Sequence, residues 1–94
     1  MKIGFIGTGK ITSSIIYGIF KSKLKNSNIS VSPRNRSIAN KLSKKFRSVE
    51  IRKDNQEVID RSDIIFLAVT PNVGLKILDK LRFTSNKKII SFIS

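Results

Sequence analysis

Residues 1–14 read MKIGFIGTGKITSS, and the reading of this stretch decides the fold. Ile3, Phe5 and Ile6 make a short apolar strand, Gly7-Thr8-Gly9 a tight turn, and Lys10 and Ile11 the opening of a helix. A G-x-G turn between a strand and a helix is a device for holding phosphate. Gly7 lets the backbone turn sharply, Gly9 lets a pyrophosphate approach the main chain, and the unpaired N–H groups at the helix start face the anion. Thr12 stands at the third position of the G-x-G-x-x-G pattern, where Gly or Ala is usual. Taken alone, the degenerate fingerprint fits an ordinary strand-to-helix turn equally well.

The chain beyond the turn supplies the context. Ile11, Ile15, Ile16, Ile19, Phe20 and Leu24 recur at helical spacing and predict a helix with one apolar face. Gly18 falls inside it, where it is about 1 kcal/mol less favourable than Ala, and this points to close packing of helix on strand. Asn26-Ser27-Asn28 is a loop, and Ile29-Ser30-Val31-Ser32 is a second strand ended by Pro33. Ser37 is a candidate N-cap for a second helix whose inner face is Ile38, Ala39, Leu42 and Phe46. Val49 and Ile51 predict a short third strand. Asp54 or Asn55 caps a brief helix through Val58 and Ile59, with Glu57 in its first turn. Residues 63–69, DIIFLAV, are apolar without alternation, as a parallel strand covered on both faces requires. Thr70-Pro71-Asn72 breaks that strand, Val73, Ile77, Leu78 and Leu81 form another helical face, and Ile89 to Ile93 make a last strand.

This order, β-α-β-α-β-α-β-α-β, predicts an α/β architecture, a Rossmann-like doubly wound parallel sheet of five strands filling residues 1–94 as one domain. The glycine turn then occupies the first βα connection, where such sheets hold the pyrophosphate of a dinucleotide. An NAD site usually places Asp or Glu about 20 residues past the glycines to bond the ribose hydroxyls. Here that region reads Ser32-Pro33-Arg34-Asn35-Arg36 and contains no acid. A hydroxyl and a guanidinium suit a 2′-phosphate. NADP is therefore the expected cofactor, with NAD left open, and an ordinary basic turn is the structural alternative.

Composition narrows the chemistry further. With no Cys and no His in 94 residues, disulfides, thiolate metal sites and the usual neutral-pH general base are all excluded. A hydrophobic content of 39% with six Phe suits a globular chain. No signal-peptide pattern appears and no apolar run approaches the length of a membrane span, so a cytoplasmic location without membrane contact is expected. The formal net charge of +13 raises a second hypothesis, a non-catalytic basic module that binds nucleic acid or another polyanion. Against it, the basic residues are spread over every segment, and the aromatic residues do not alternate with them as a row of stacking platforms would. Nucleic acid is therefore not the expected main partner; attraction of an anionic cofactor is.

With these residues in place, the chain resembles the N-terminal domain of pyrroline-5-carboxylate reductases. The resemblance rests on KIGFIGTGKI, on VSPRNR at the second strand's end, on Asn55 in KDNQEVI, and above all on DIIFLAVTPNV. It covers essentially the whole chain. It implies that Ile6, Gly7, Thr8, Gly9, Lys10 and Ile11 wrap the pyrophosphate and that Ser32 and Arg34 meet the adenosine 2′-phosphate. Asn55 then lies on the adenosine side, and Ala68, Val69, Thr70 and Pro71 pass under the nicotinamide. For Asn55 a helix cap is the plain alternative, and for Ala68 and Val69 a core strand. Thr12, in place of a smaller residue, is expected to set the first helix farther from the sheet, and Thr70 stands where the family often has Lys. The family's reaction moves a hydride from NAD(P)H to the C=N carbon of pyrroline-5-carboxylate, in proline biosynthesis. Its substrate pocket and dimer interface come largely from a second, helical domain. The expectation is that this domain is absent here and that the chain is an excised or truncated piece, or one completed by a partner. No catalytic residue and no metal ligand set is assigned, Asp63 being read as a boundary residue. The last apolar strand is expected to form an uncovered edge through which a partner or a second copy pairs.

Overall fold

In a computed structural model, the chain is described at residues 1–7, 10–24, 26–33, 36–69, 72, 76, 79, 81–82 and 86–91. It runs β1 (Lys2–Ile6), α1 (Lys10–Phe20), β2 (Asn28–Val31), α2 (Arg36–Lys45), β3 (Val49–Ile51), α3 (Asn55–Asp60), β4 (Ile64–Leu67) and β5 (Lys88–Ser91). Between β4 and β5, Asn72, Lys76 and Asp79 are helical and exposed, at the spacing of one solvent face of a helix. The expected inner face of that helix, Val73, Ile77 and Leu78, lies outside the described residues; Leu81 packs on the core.

All five strands are parallel, in the order β3-β2-β1-β4-β5. The expected doubly wound sheet is therefore present. Alternation along β1 divides the core between its faces. Ile3 and Phe5 pack with Ile16 and Ile19 of α1, Ala39 and Leu42 of α2, and Ile29, Val31 and Val49 of β2 and β3. Ile6, on the other face, packs with Val58 and Ile59 of α3 and Ile65 and Leu67 of β4. Phe5 and its register partner Phe66 stack with ring centroids 4.9 Å apart.

Helix ends differ from the periodic pattern for local reasons. α1 stops at Phe20, four residues before Leu24. The Ser22 hydroxyl donates to the Ile19 carbonyl and accepts from the Leu24 N–H, offering the backbone partners that the next helical turn would have supplied. Leu24 is 41% exposed, and Ile11, at the other end, is 53% exposed, so neither belongs to the inner face. α2 starts at Arg36, which puts Ser37 inside the first turn instead of before it. For α3 the cap is Asp54: its backbone is extended (φ −156°) and its carboxylate accepts from the Glu57 N–H at 2.8 Å. Gln56 also ties α3 to the segment before β5, its amide donating to the Arg82 carbonyl and accepting from the Arg82 N–H, both at 3.0 Å.

Gly18 corrects a packing expectation. A Cβ built on it meets nothing within 4 Å, so the residue faces open space and no strand approaches it. Gly18→Ala is therefore expected to raise stability by about 0.5–1 kcal/mol, through reduced backbone freedom in the unfolded chain and better helix propensity. A rise in the urea midpoint with an unchanged slope checks this.

β5 is an edge strand, and its Ile89 and Ile90 are both exposed. Among the described residues no helix is long and apolar enough to cross a membrane.

Candidate functional site

β2 and β4 flank β1, and all three end on the same edge of the sheet. Their carboxyl ends bring together Gly7, Ser32 and Ala68, residues far apart in sequence. The chain winds outward through β2 and β3, then crosses back to β4, so the strand order reverses beside β1. Ligands of open parallel sheets bind at such a reversal, beyond the carboxyl ends of the strands.

Gly7 is the hinge of this edge. Its φ is +93°, a conformation that L side chains rarely adopt. Its N–H donates to Ser32 Oγ at 3.0 Å, and its carbonyl accepts from Thr12 Oγ1 at 2.6 Å. On the β4 side, a Cβ at Gly7 would run into the Ala68 carbonyl oxygen and lie 2.7 Å from Val69 Cγ1. Two backbone bonds frame the turn: Ser32 N–H to the Phe5 carbonyl at 3.0 Å, and Ala68 N–H to the Ile6 carbonyl at 2.9 Å. The peptide groups on both sides of Gly7 are thus fixed by three elements, β2, β4 and α1.

The two hydroxyls that do this are fully buried. Thr12, a departure from the fingerprint, is accommodated within the first turn of α1 and joins that helix to the glycine turn. Its importance was hidden in the sequence because a Thr in place of Ala or Gly reads as excess bulk, and nothing linear shows where its hydroxyl goes. Ser32 lies at the expected end of β2, and its oxygen accepts from the turn.

The remaining candidates occupy the same edge in different ways. Ile6 is buried in the core and contributes through its backbone carbonyl. Lys10 opens α1, and Ile11 projects into solvent beside the turn. Asn55 is half-buried at the first position of α3. Because Asp54 holds the cap, the Asn55 side chain is not used as one. Ala68 and Val69 are half-buried, and Val69 packs against the cluster around Ile6. Thr8, Gly9, Arg34, Thr70 and Pro71 lie outside the described residues.

One residue of this region was passed over in the sequence. Arg52, just past β3, is half-buried, donates from Nε to Ser30 Oγ at 3.0 Å, and pairs with Glu50 at 2.8 Å. The i, i+2 spacing of Glu50 and Arg52 places both on one side of an extended segment, a signal that was available. Ser32 and Pro33, which follow β2, place no carboxylate there.

Residues 2–94 match the family model described as NADP oxidoreductase coenzyme F420-dependent. The chain is 34% identical over 93 residues to a pyrroline-5-carboxylate reductase of Methanosarcina acetivorans, covering 96% of this chain and 34% of that protein. Among solved structures it is similar to the 1-pyrroline-5-carboxylate reductase of Streptococcus pyogenes, with a TM-score of 0.78 and 26% identity over 100% of this chain and 34% of that one. It is also similar to the Plasmodium falciparum pyrroline carboxylate reductase solved with NADP bound, with a TM-score of 0.75 and 26% identity over 99% of this chain and 33% of that one. The chain spans about a third of the length of these relatives. The resemblance read from KIGFIGTGKI and DIIFLAVTPNV is thereby borne out, and the chain belongs to the NADP oxidoreductase coenzyme F420-dependent family as a counterpart of the N-terminal domain of pyrroline-5-carboxylate reductases.

Proposed function

We propose that residues 1–94 form a single NADP(H)-binding domain of a cytoplasmic reductase that passes a hydride from NADPH to the C=N carbon of pyrroline-5-carboxylate. The observation that carries this reading is Gly7, held at φ +93° between the ends of β1, β2 and β4 at the strand-order reversal. When bound, the nicotinamide supplies the hydride. The chain's own residues bind and orient: the backbone from Ile6 to Ile11 takes the pyrophosphate, and the first turn of α1 adds its free N–H groups. The acid-free segment of Ser32 and Arg34 receives the 2′-phosphate, with Ser32 also holding the turn. Asn55 borders the adenosine, and Ala68 to Pro71 underlie the nicotinamide. Groups that meet the substrate come from outside these residues. The open edge of β5, with Ile89 and Ile90 exposed, is where a further segment or a second copy adds.

Calorimetric titration tests the reading. NADPH should bind at least about ten-fold more tightly than NADH, since a charge-assisted contact to a phosphate contributes about 1.5–3 kcal/mol. Gly9→Val should weaken NADPH by more than about ten-fold while leaving the far-UV circular dichroism unchanged, because a side chain there takes the space of the pyrophosphate. Tighter binding of NADH than NADPH overturns the choice of cofactor, and indifference to Gly9→Val overturns the phosphate cradle.

A further inference from the structure

The edge of the sheet opposite the glycine turn carries a different chemistry. In a parallel βα sheet each helix returns the chain to the strands' amino edge, so α1 and α2 end there, just ahead of β2 and β3. Phe46, following α2, stacks on Phe20, the last residue of α1, with centroids 4.2 Å apart and planes 4° from parallel. It meets Tyr17 nearly at right angles, with centroids 5.2 Å apart. At this junction Lys21, Lys23, Lys44, Lys45 and Arg47 are all exposed. Lys45 Nζ sits 4.8 Å from the centroid of the Tyr17 ring, which is 36% exposed. From Tyr17 an open groove runs along α1, lined by Lys21, Gly18, Ser14 and Ser13. It stays open because Gly18 has no side chain to fill it.

Charge is partitioned along the same line. Residues 1–49 hold more than half of the nineteen Lys and Arg and no acid, and all six Asp and Glu follow Val49. Lys44 and Lys45 in the last turn of α2 also complement its dipole. That effect is confined to a helix end, and it does not explain a part-exposed aromatic ring held under Lys45 with Lys21 beside it. Along the sequence Phe46 falls between Lys45 and Arg47, but its ring is half-buried against Phe20. The fold supplies a part-exposed ring in space, bringing Tyr17 of α1 against Lys45 of α2.

We propose that this edge binds single-stranded nucleic acid, one base stacking on Tyr17 and the flanking phosphates lying on Lys21, Lys23, Lys44, Lys45 and Arg47. Base stacking on an aromatic side chain tolerates any sequence. An anionic bilayer is the rival occupant, since Leu24 beside Lys23 and Met1 ahead of β1 are exposed on this edge. The nucleic acid is favoured because the group held against a cation here is an aromatic ring, Tyr17 under Lys45, and not an aliphatic anchor. Because the surface is on the edge opposite Gly7, it does not depend on the dinucleotide reading.

Tyr17 is the only tyrosine and the chain has no tryptophan, so intrinsic fluorescence reports on this site alone. Titration with an oligouridylate of about 20 nucleotides should quench Tyr17. Its log affinity should fall against log salt with a slope near −3, as about four phosphate contacts give on single strands. Saturating NADPH should leave the curve unchanged. Tyr17→Ala should weaken binding about ten-fold while Tyr17→Phe retains most of it, and Lys44→Gln with Lys45→Gln should flatten the slope by about 1.4. Binding that leaves Tyr17 fluorescence unchanged, displacement by NADPH, tighter binding to phosphatidylserine vesicles, or no binding at about 50 mM salt overturns the proposal. The wild-type fluorescence decides the matter even if a substituted chain fails to fold.

Discussion

Gly7→Ala is expected to lower the stability of the domain by about 3 kcal/mol or more and to remove NADPH binding with it. Two effects add. A non-glycine residue at φ +93° is strained by about 1–3 kcal/mol. The new Cβ also collides with the Ala68 carbonyl oxygen, a backbone atom that cannot swing aside as a side chain can. Relief requires the end of β4 to retreat, which breaks the 2.9 Å bond from Ala68 N–H to the Ile6 carbonyl. A retreat of the turn instead loosens the Gly7 bonds to Ser32 and Thr12. At about 4–8 °C per kcal/mol for a domain of this size, thermal denaturation should shift downward by roughly 12–24 °C. An unchanged melting temperature would show that the turn and β4 are not in the contact described. The contrast with Gly9→Val is informative: that change is expected to remove binding without removing the fold.

Gly4→Ala is expected to be nearly as damaging, at about 2–3 kcal/mol, and for a reason unrelated to the cofactor. Gly4 lies on the face of β1 turned toward α3, where an added Cβ overlaps Ser62 Oγ and comes within 2.8 Å of Val58 Cγ1 and 2.9 Å of Ser62 Cβ. Ser62 is buried and held in place, its hydroxyl donating to the Val58 carbonyl at 2.6 Å. Crowding a packed core in this way typically costs about 1–3 kcal/mol. Because the obstruction is largely one side chain, Gly4→Ala combined with Ser62→Gly should recover at least about 1 kcal/mol relative to additivity. Urea denaturation of the four chains in the cycle checks this. Strict additivity would mean that Gly4 and Ser62 do not share the space.

The fold was legible because its signals are local and repeated. The unbroken apolar run before Thr70 marked β4 as covered on both faces, and 3.6-residue periodicity marked the inward residues of α1 and α2. What periodicity could not show was where hydrogen bonds compete. Ser22 ends α1 through its hydroxyl, leaving Leu24 exposed although its spacing was right. Between Asp54 and Asn55, adjacent and both able to cap, only geometry decides. At the site, Gly7 and Ser32 could be named from spacing. The bond that joins them spans 25 residues, and the Thr12 hydroxyl reaches back five, so the way the turn is fixed appears only once the chain is folded. Gly18 shows the opposite error: a glycine in a helix suggested close packing, and its position on the solvent face, which angular bookkeeping along α1 would have indicated, left it with none.

The central place of β1 also bears on synthesis. Of these five strands, the one that leaves the ribosome first is paired on both sides, with β2 through Lys2 to Phe5 and with β4 through Ile3 to Ile6. Its second partner begins at Ile64, some sixty residues later. Until Leu67 has cleared the exit tunnel, the nascent chain can assemble at most the half-sheet β1-β2-β3 with the helices that precede β4, and β1 lacks its second strand neighbour. Gly7 meets Ala68 only after that, so within this domain the glycine turn is made early and completed late.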